Sequence, residues 1–265
     1  MTSAETSASE APPTSDWLAE QGFWIALRLT LLDLLLVPIG DWNVRAPVLL
    51  LAGAGLIHGG VLRSPWTWSA LALLSGWRVY ADWPQSDNHA YLLSYWCLGV
   101  ALALSGPVPR LDLARTARLL IGLAFAFAVL WKGLLSVDYV DESFFRSLLL
   151  TDPRFEAPAI HIGGMTPTSL EEARALIEEN RHAPDQPAPA TIETPALRTL
   201  ASFATWCTLL LEAVVALAFL LPGGHAVGRL RDGALLIFCA TTYAIAPVPG
   251  FGWLLLAMGI AQCPE

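Results

Sequence analysis

The run Leu119-Leu120-Ile121-Gly122-Leu123-Ala124-Phe125-Ala126-Phe127-Ala128-Val129-Leu130-Trp131-Lys132-Gly133-Leu134-Leu135 decides how this chain is to be read. Apart from Lys132 it carries no charge, and with its flanks it is long enough to cross a bilayer as an α-helix. Lys132 is also the only lysine in 265 residues. An ammonium beside hydrocarbon is costly. It must face a polar cavity or a partner carboxylate, or else lie near the helix end and snorkel to the headgroups. Position alone leaves both readings open.

Outward from that run, the composition points the same way. Hydrophobic residues make up 55% of the chain and charged residues 14%, and mean hydropathy is +0.52. An ordinary water-soluble domain is excluded on those figures, and the fold class expected is all-α, a polytopic membrane helical bundle. A net charge of -8 with no dense basic cluster argues against nucleic acid as a partner and leaves the lipid bilayer as the main one. Residues 1–15 are rich in Ser, Thr, Ala and Pro, hold neither Lys nor Arg, and have no apolar stretch. They read as a disordered cytoplasmic tail ahead of a membrane domain over 16–265, rather than as a signal or transit peptide. Cys97, Cys207, Cys239 and Cys263 form no CxxC pair and have no His at ligand spacing, so neither a disulfide framework nor a metal site is expected.

About eight spans are predicted, over 21–39, 46–62, 65–81, 88–105, 113–136, 196–221, 233–247 and 250–262. Pro247-Val248-Pro249-Gly250 forces a tight reversal, which makes the last two a short hairpin. With alternating spans, Arg63, Arg110, Arg115, Arg118, Arg229 and Arg231 share one side, while Arg45 stands alone in the short loops of the other. The positive-inside rule then places both termini in the cytoplasm and makes 137–195 one long extracytoplasmic loop. Within it, 137–150 has the pattern of an interfacial amphipathic helix. A second helix is expected over 168–180, capped by Thr168 or Ser169, with Glu171 and Glu172 in its first turn. The Pro- and Ala-rich stretch 182–195 reads as a linker.

Polar residues inside the spans are site candidates by default. They are Arg28, Asp33, His58, Arg78, Lys132 and Glu212, with Asn88 and His89 opening the fourth span. Sorted by depth, Lys132, Arg78, Asn88, His89 and Asp33 could share one pocket toward the extracytoplasmic face. The alternative pairs them as structural glue, Asp33 with Arg78 or Lys132 and Glu212 with Arg28. His58, among Gly55, Gly59 and Gly60, reads as a packed histidine, and Trp42, Trp66, Trp68 and Trp83 as an interfacial belt.

Three stretches resemble a known family. Asp87-Asn88-His89-Ala90-Tyr91-Leu92 is similar to an Asn-His-Ser-Tyr-Leu stretch that opens a membrane helix of vitamin K-dependent gamma-carboxylase. Trp131-Lys132-Gly133-Leu134-Leu135, with Asp138, Tyr139, Val140 and Asp141 after it, looks like that enzyme's Lys-Lys-Leu-Asp-Ala-Asp-Trp segment. Leu209-Leu210-Leu211-Glu212 is similar to its Leu-Leu-Leu-Asp stretch. In this order they resemble the horizontally transferred transmembrane (HTTM) domain family, over roughly Asp16 to Cys263.

The resemblance implies a multi-pass protein of a bacterial inner membrane and a reduced, vitamin K-like quinone. It makes Lys132 the base that deprotonates the quinol, with Asn88 and His89 orienting a quinol oxygen. Arg78, Asp33, Trp83, Trp131 and Tyr243 would then border the quinone pocket. Because a free amine is protonated at neutral pH, such a base must be desolvated or set beside another cation; a lysine that stays protonated could instead stabilise a quinolate. Two departures speak against carboxylation of a protein substrate. Cys239-Ala240-Thr241-Thr242-Tyr243 stands where the carboxylase has a His and Asn cluster, and no counterpart of its large lumenal region is expected here.

These readings leave three alternative functions. One is a quinone-linked, carboxylase-like or peptide-modifying enzyme. Another is a non-catalytic assembly or maturation partner that presents 137–195 to an exported peptide or a membrane protein. The last is a transporter using Asp33, Lys132 and Glu212 as coupling charges, against which no inverted repeat is visible.

Overall fold

The computed structural model describes residues 14–83, 86, 88–182, 193–222, 224–245, 248 and 250–262. Among these the chain is helical, without a strand. In order the helices are α1 (Thr14–Leu36), α2 (Trp42–Ile57), α3 (Gly59–Leu62), α4 (Pro65–Ala81), α5 (Asn88–Ser105), α6 (Pro109–Leu130), α7 (Val137–Val140), α8 (Ser143–Thr151), α9 (Glu156–His161), α10 (Pro167–His182), α11 (Pro195–Leu220), α12 (Arg231–Ile245) and α13 (Phe251–Ala261). The last turn of α6 widens into a π-helical turn, Trp131–Leu135, closed by Ser136 N donating to Trp131 O at 2.9 Å.

Among the described residues two helices are long and apolar enough to cross a membrane: α6 with its π turn, Pro109–Leu135, and α11. At 1.5 Å per residue each reaches about 40 Å, more than the roughly 30 Å of hydrocarbon. Only 17% of the apolar window of Pro109–Leu135 is buried in the protein. A core helix of a water-soluble domain would be mostly covered. Three shorter apolar helices, Trp42–Ile57, His89–Ser105 and Phe251–Ala261, accompany them.

Contacts divide the chain into two compact units, 1–120 with 249–265, and 121–248. In the first, α1 packs on α2 and α13, and α4 on α5. Trp96 Nε1 donates to Thr30 Oγ1 at 2.9 Å, joining α5 to α1 through a fully buried bond. Glycines set the close approaches: a Cβ on Gly55 would meet Leu31 Cδ1 at 2.6 Å, and one on Gly99 would meet Thr116 Cγ2 at 2.6 Å. The span expected over 46–62 breaks at His58, whose backbone is extended. Gly59 and Gly60 come immediately after and open the short helix α3, and their low helix propensity weakens the run where it breaks. Helix α1 begins at Thr14, inside the stretch expected to be a tail; residues 1–13 lie outside the described residues.

In the second unit α11 packs on α8 and α12, and Gly122 of α6 lets α11 come close: a Cβ there would lie 2.7 Å from Leu220 Cδ2 and 3.3 Å from Phe219 Cβ. The segment of short helices α7–α10 has a core, in which Tyr139, Phe145, Leu150, Phe155, Met165 and Leu170 pack with Leu197 and Leu209 of α11. The single amphipathic helix expected over 137–150 is in fact two, α7 and α8, interrupted at Asp141 and Glu142. Glu142 adopts a left-handed backbone (φ 71°). Asp141 holds the restart by accepting from Ser143 N at 2.9 Å.

Helix α10 starts one residue before the expected 168, and its cap is Thr166, not Thr168 or Ser169. Ser169 N donates to Thr166 Oγ1 at 3.1 Å, while Thr166 N donates to Ser169 Oγ at 2.9 Å. That reciprocal pair, with Pro167 at the first helical position, is a capping box with Ser169 in the place usually taken by Glu or Gln. Most of the expected linker 182–195 lies outside the described residues. Thr194 anchors the start of α11: its hydroxyl donates to Gly163 O and accepts from Leu197 N at 3.0 Å.

Candidate functional site

Lys132 turns inward. From the π-helical end of α6 its Nζ reaches Glu212 Oε1 of α11 at 2.5 Å, across 80 positions of sequence. The pair is unevenly buried: 26% of the Lys132 side chain stays exposed against 7% of Glu212. The partner that the sequence offered for Glu212, Arg28, is exposed, so the pairing of Glu212 with Arg28 is replaced by Glu212 with Lys132. Helical register explains why α11 can present a carboxylate here. Thr205, Thr208, Leu209 and Glu212 recur at three- and four-residue spacing and so share a face.

Tyr139 completes the centre. Its ring lies under the ammonium, with Lys132 Nζ 5.2 Å from the centroid, a cation–π arrangement that adds to the pair. The ring is 4% exposed and is held by Phe144, stacked at 5.3 Å, and Phe145, edge-on at 5.7 Å. Burial first, and the Glu212 charge second, push the Tyr139 phenol above the ordinary tyrosine range, while the neighbouring Thr208 hydroxyl pulls it back in part. That hydroxyl donates its own proton to Ala204 O at 2.8 Å, and its contact with the Tyr139 hydroxyl falls short of hydrogen-bond geometry. The Tyr139 hydroxyl, Glu212 Oε2 and Thr205 Oγ1 are buried without a well-formed hydrogen-bond partner among the described residues. Buried polar atoms are nearly always satisfied, so these three are the polar groups here with bonding capacity to spare.

Of the other expected site residues, Asp33, Arg78, Trp83, Asn88 and His89 fall in the first unit. Asp33 on α1 is 8% exposed, with Oδ1 unpartnered. A Cβ on Gly250, just before α13, would lie 3.8 Å from its Oδ2. Arg78 does not pair with Asp33; it binds Asp82 at 3.0 Å within its own helix turn. His89 is half-buried, its ring 6.1 Å from that of Phe251. The side chain of Asn88 lies outside the described residues. Trp83 is 68% exposed and meets Tyr91 edge-on at 6.4 Å. In the second unit Trp131 is 62% exposed, and the Tyr243 hydroxyl donates to Val248 O at 2.6 Å.

Sequence reasoning singled out Lys132 and Glu212 separately but missed their partnership, and it passed over Tyr139 as a site residue. The signal for Tyr139 was present: an aromatic with a polar tip seven residues after the one lysine of the sequence. No family model, curated protein or solved structure matches the chain.

Proposed function

We propose that the protein is a multi-pass membrane protein of the HTTM type whose Lys132–Glu212 centre removes a proton from a reduced, vitamin K-like quinone. One observation carries the reading: the single lysine is spent on a buried carboxylate that keeps its second oxygen unpartnered. A purely structural ion pair gains by satisfying every lone pair, because an unmatched buried carboxylate oxygen is expensive. Leaving Oε2 bare makes sense if a substrate proton is to arrive there. Lys132 then serves the developing quinolate electrostatically, so the base is the pair rather than Lys132 acting alone.

The multi-pass topology is supported by the exterior. Leu50, Ile57, Leu73, Trp77, Leu102, Phe127 and Leu210, from helices in both units, are all more than half exposed. Scattered single residues would be unremarkable in water, but whole helix faces of this kind suit lipid. Both termini in the cytoplasm and a bacterial inner membrane remain part of the same proposal, from the arginine distribution and the resemblance.

The test uses the only lysine. With isotope-labelled lysine, protein in lipid nanodiscs gives one side-chain resonance, to be followed as menadiol is added. A saturable shift that is lost in Glu212→Gln supports quinol binding at the centre. No shift at saturating menadiol rejects it.

A second reading, the assembly partner, is favoured by a different feature. Glu142, Arg198, Thr199, Ser202 and Phe203 line an open groove of about 460 Å³ where the segment of short helices meets α11. It could take a peptide by charge and aromatic contact. Removing α10 would not test this, since Leu170 and Ala173 belong to the segment's core. Arg198→Ala with Phe203→Ala would lose capture of an exported peptide while leaving the menadiol response intact.

A further inference from the structure

The centre also specifies what kind of atom it receives. Glu212 Oε2 can only accept a hydrogen bond while the carboxylate is ionised. The Tyr139 hydroxyl, un-ionised at neutral pH, has a proton to donate, and its neighbour Thr208 does not meet it in hydrogen-bond geometry. Both groups are more than nine-tenths buried, on elements fixed by packing rather than on a loose loop. One side of the cluster is already occupied, since Lys132 binds Oε1 at 2.5 Å and covers the Tyr139 ring at 5.2 Å. Lys132 and Glu212 cancel in charge. A guest anion would meet the Glu212 carboxylate, and a guest cation would meet the Lys132 ammonium. A neutral group that donates once and accepts once meets neither objection.

From this donor and acceptor set we infer that Tyr139 and Glu212 Oε2 form a socket for a single neutral hydroxyl group, with Tyr139 a substrate-positioning residue. The inference rests on the quinol reading above and refines it. The guest hydroxyl donates to Glu212 Oε2 and accepts from the Tyr139 hydroxyl. In the proton-transfer step the guest O–H bond breaks and the proton goes to Oε2, giving a carboxylic acid. The electron pair stays on the guest oxygen, which becomes an oxyanion facing the Tyr139 hydroxyl and the Lys132 ammonium. Nothing is oxidised or reduced, and no further reactant is required. Asn88 and His89 have no part in this assignment.

The experiment compares menadiol with its dimethyl ether, which has the same rings and no hydroxyl proton, using the single lysine resonance in wild type and in Tyr139→Phe. Phenylalanine keeps the ring under Lys132 and its contacts with Phe144 and Phe145, so folding is retained. The socket requires menadiol to bind at least about tenfold more tightly than the ether in wild type. It also requires Tyr139→Phe to weaken menadiol by about tenfold while leaving the ether unchanged, a selectivity that a packing role would not produce. If menadiol shifts the resonance but the ether binds as well, or the variant binds menadiol as wild type does, the socket is overturned and the quinol reading stands. If neither compound shifts it, the quinol reading falls, and a bound water is what satisfies these atoms.

Discussion

At the scale of single residues, the Lys132–Glu212 pair decides most. Removing one partner strands the other. Glu212→Ala leaves a buried ammonium beside apolar side chains, and a loss of roughly 3 kcal/mol is expected, the lower end for a broken buried pair because a quarter of Lys132 stays exposed. Lys132→Met combined with Glu212→Leu should recover most of that stability, since an apolar replacement of both removes the orphaned oxygen too. Denaturant unfolding in detergent measures both. Tyr139 adds a pH signature. Its phenol is raised in the folded protein, so above the ordinary tyrosine value of about 10 the unfolded chain loses a proton that the folded one keeps. Stability owed to Tyr139 is therefore complete below that pH and declines as pH rises beyond it. Tyr139→Phe should flatten this alkaline decline, read from unfolding midpoints across the range.

At the scale of elements, α6 and α11 bring the centre together, and Gly122 sets how near they come. Gly122→Leu would drive its side chain into Leu220 and Phe219, at a cost of about 1–3 kcal/mol. It should also weaken the Lys132–Glu212 contact ten residues further along α6. At the start of α10, Thr166→Ala removes one half of the capping box and should lower the midpoint by the equivalent of about 1 kcal/mol. These elements also mark what could be read from the sequence. Helices existed where hydropathy ran for a full span, as with α4, α5, α6 and α11, because lipid-length apolar runs have few other uses. Their interruptions were harder. His58 breaks a run that hydropathy alone treats as continuous, and only the glycine pair after it hinted at the break. The left-handed turn at Glu142 and the cap at Thr166 depend on single side chains bonding the backbone, which periodicity does not register. The partnership of Glu212 was illegible for a simpler reason: one buried carboxylate and several cations are compatible with many pairings, and only helix packing chooses among them.

At the scale of the molecule, the apolar exterior argues for lipid as the surrounding solvent, and the cysteines offer a check. Cys207 on α11 is exposed, whereas Cys97 is buried. If α11 spans a bilayer, Cys207 is shielded by lipid and should resist a membrane-impermeant maleimide in intact vesicles, yet react once the protein is moved to denaturant. Rapid labelling in vesicles would place that face in water. The most direct test of the central claim joins lipid and centre in one observation: solvent exchange and chemical shift of the single lysine ammonium in nanodiscs, with and without Glu212→Gln. Slow exchange in the wild type, and a resonance displaced by the substitution, are predicted for an ammonium held inside against a buried carboxylate. Fast exchange with an unmoved resonance would contradict this and make Lys132 a headgroup anchor.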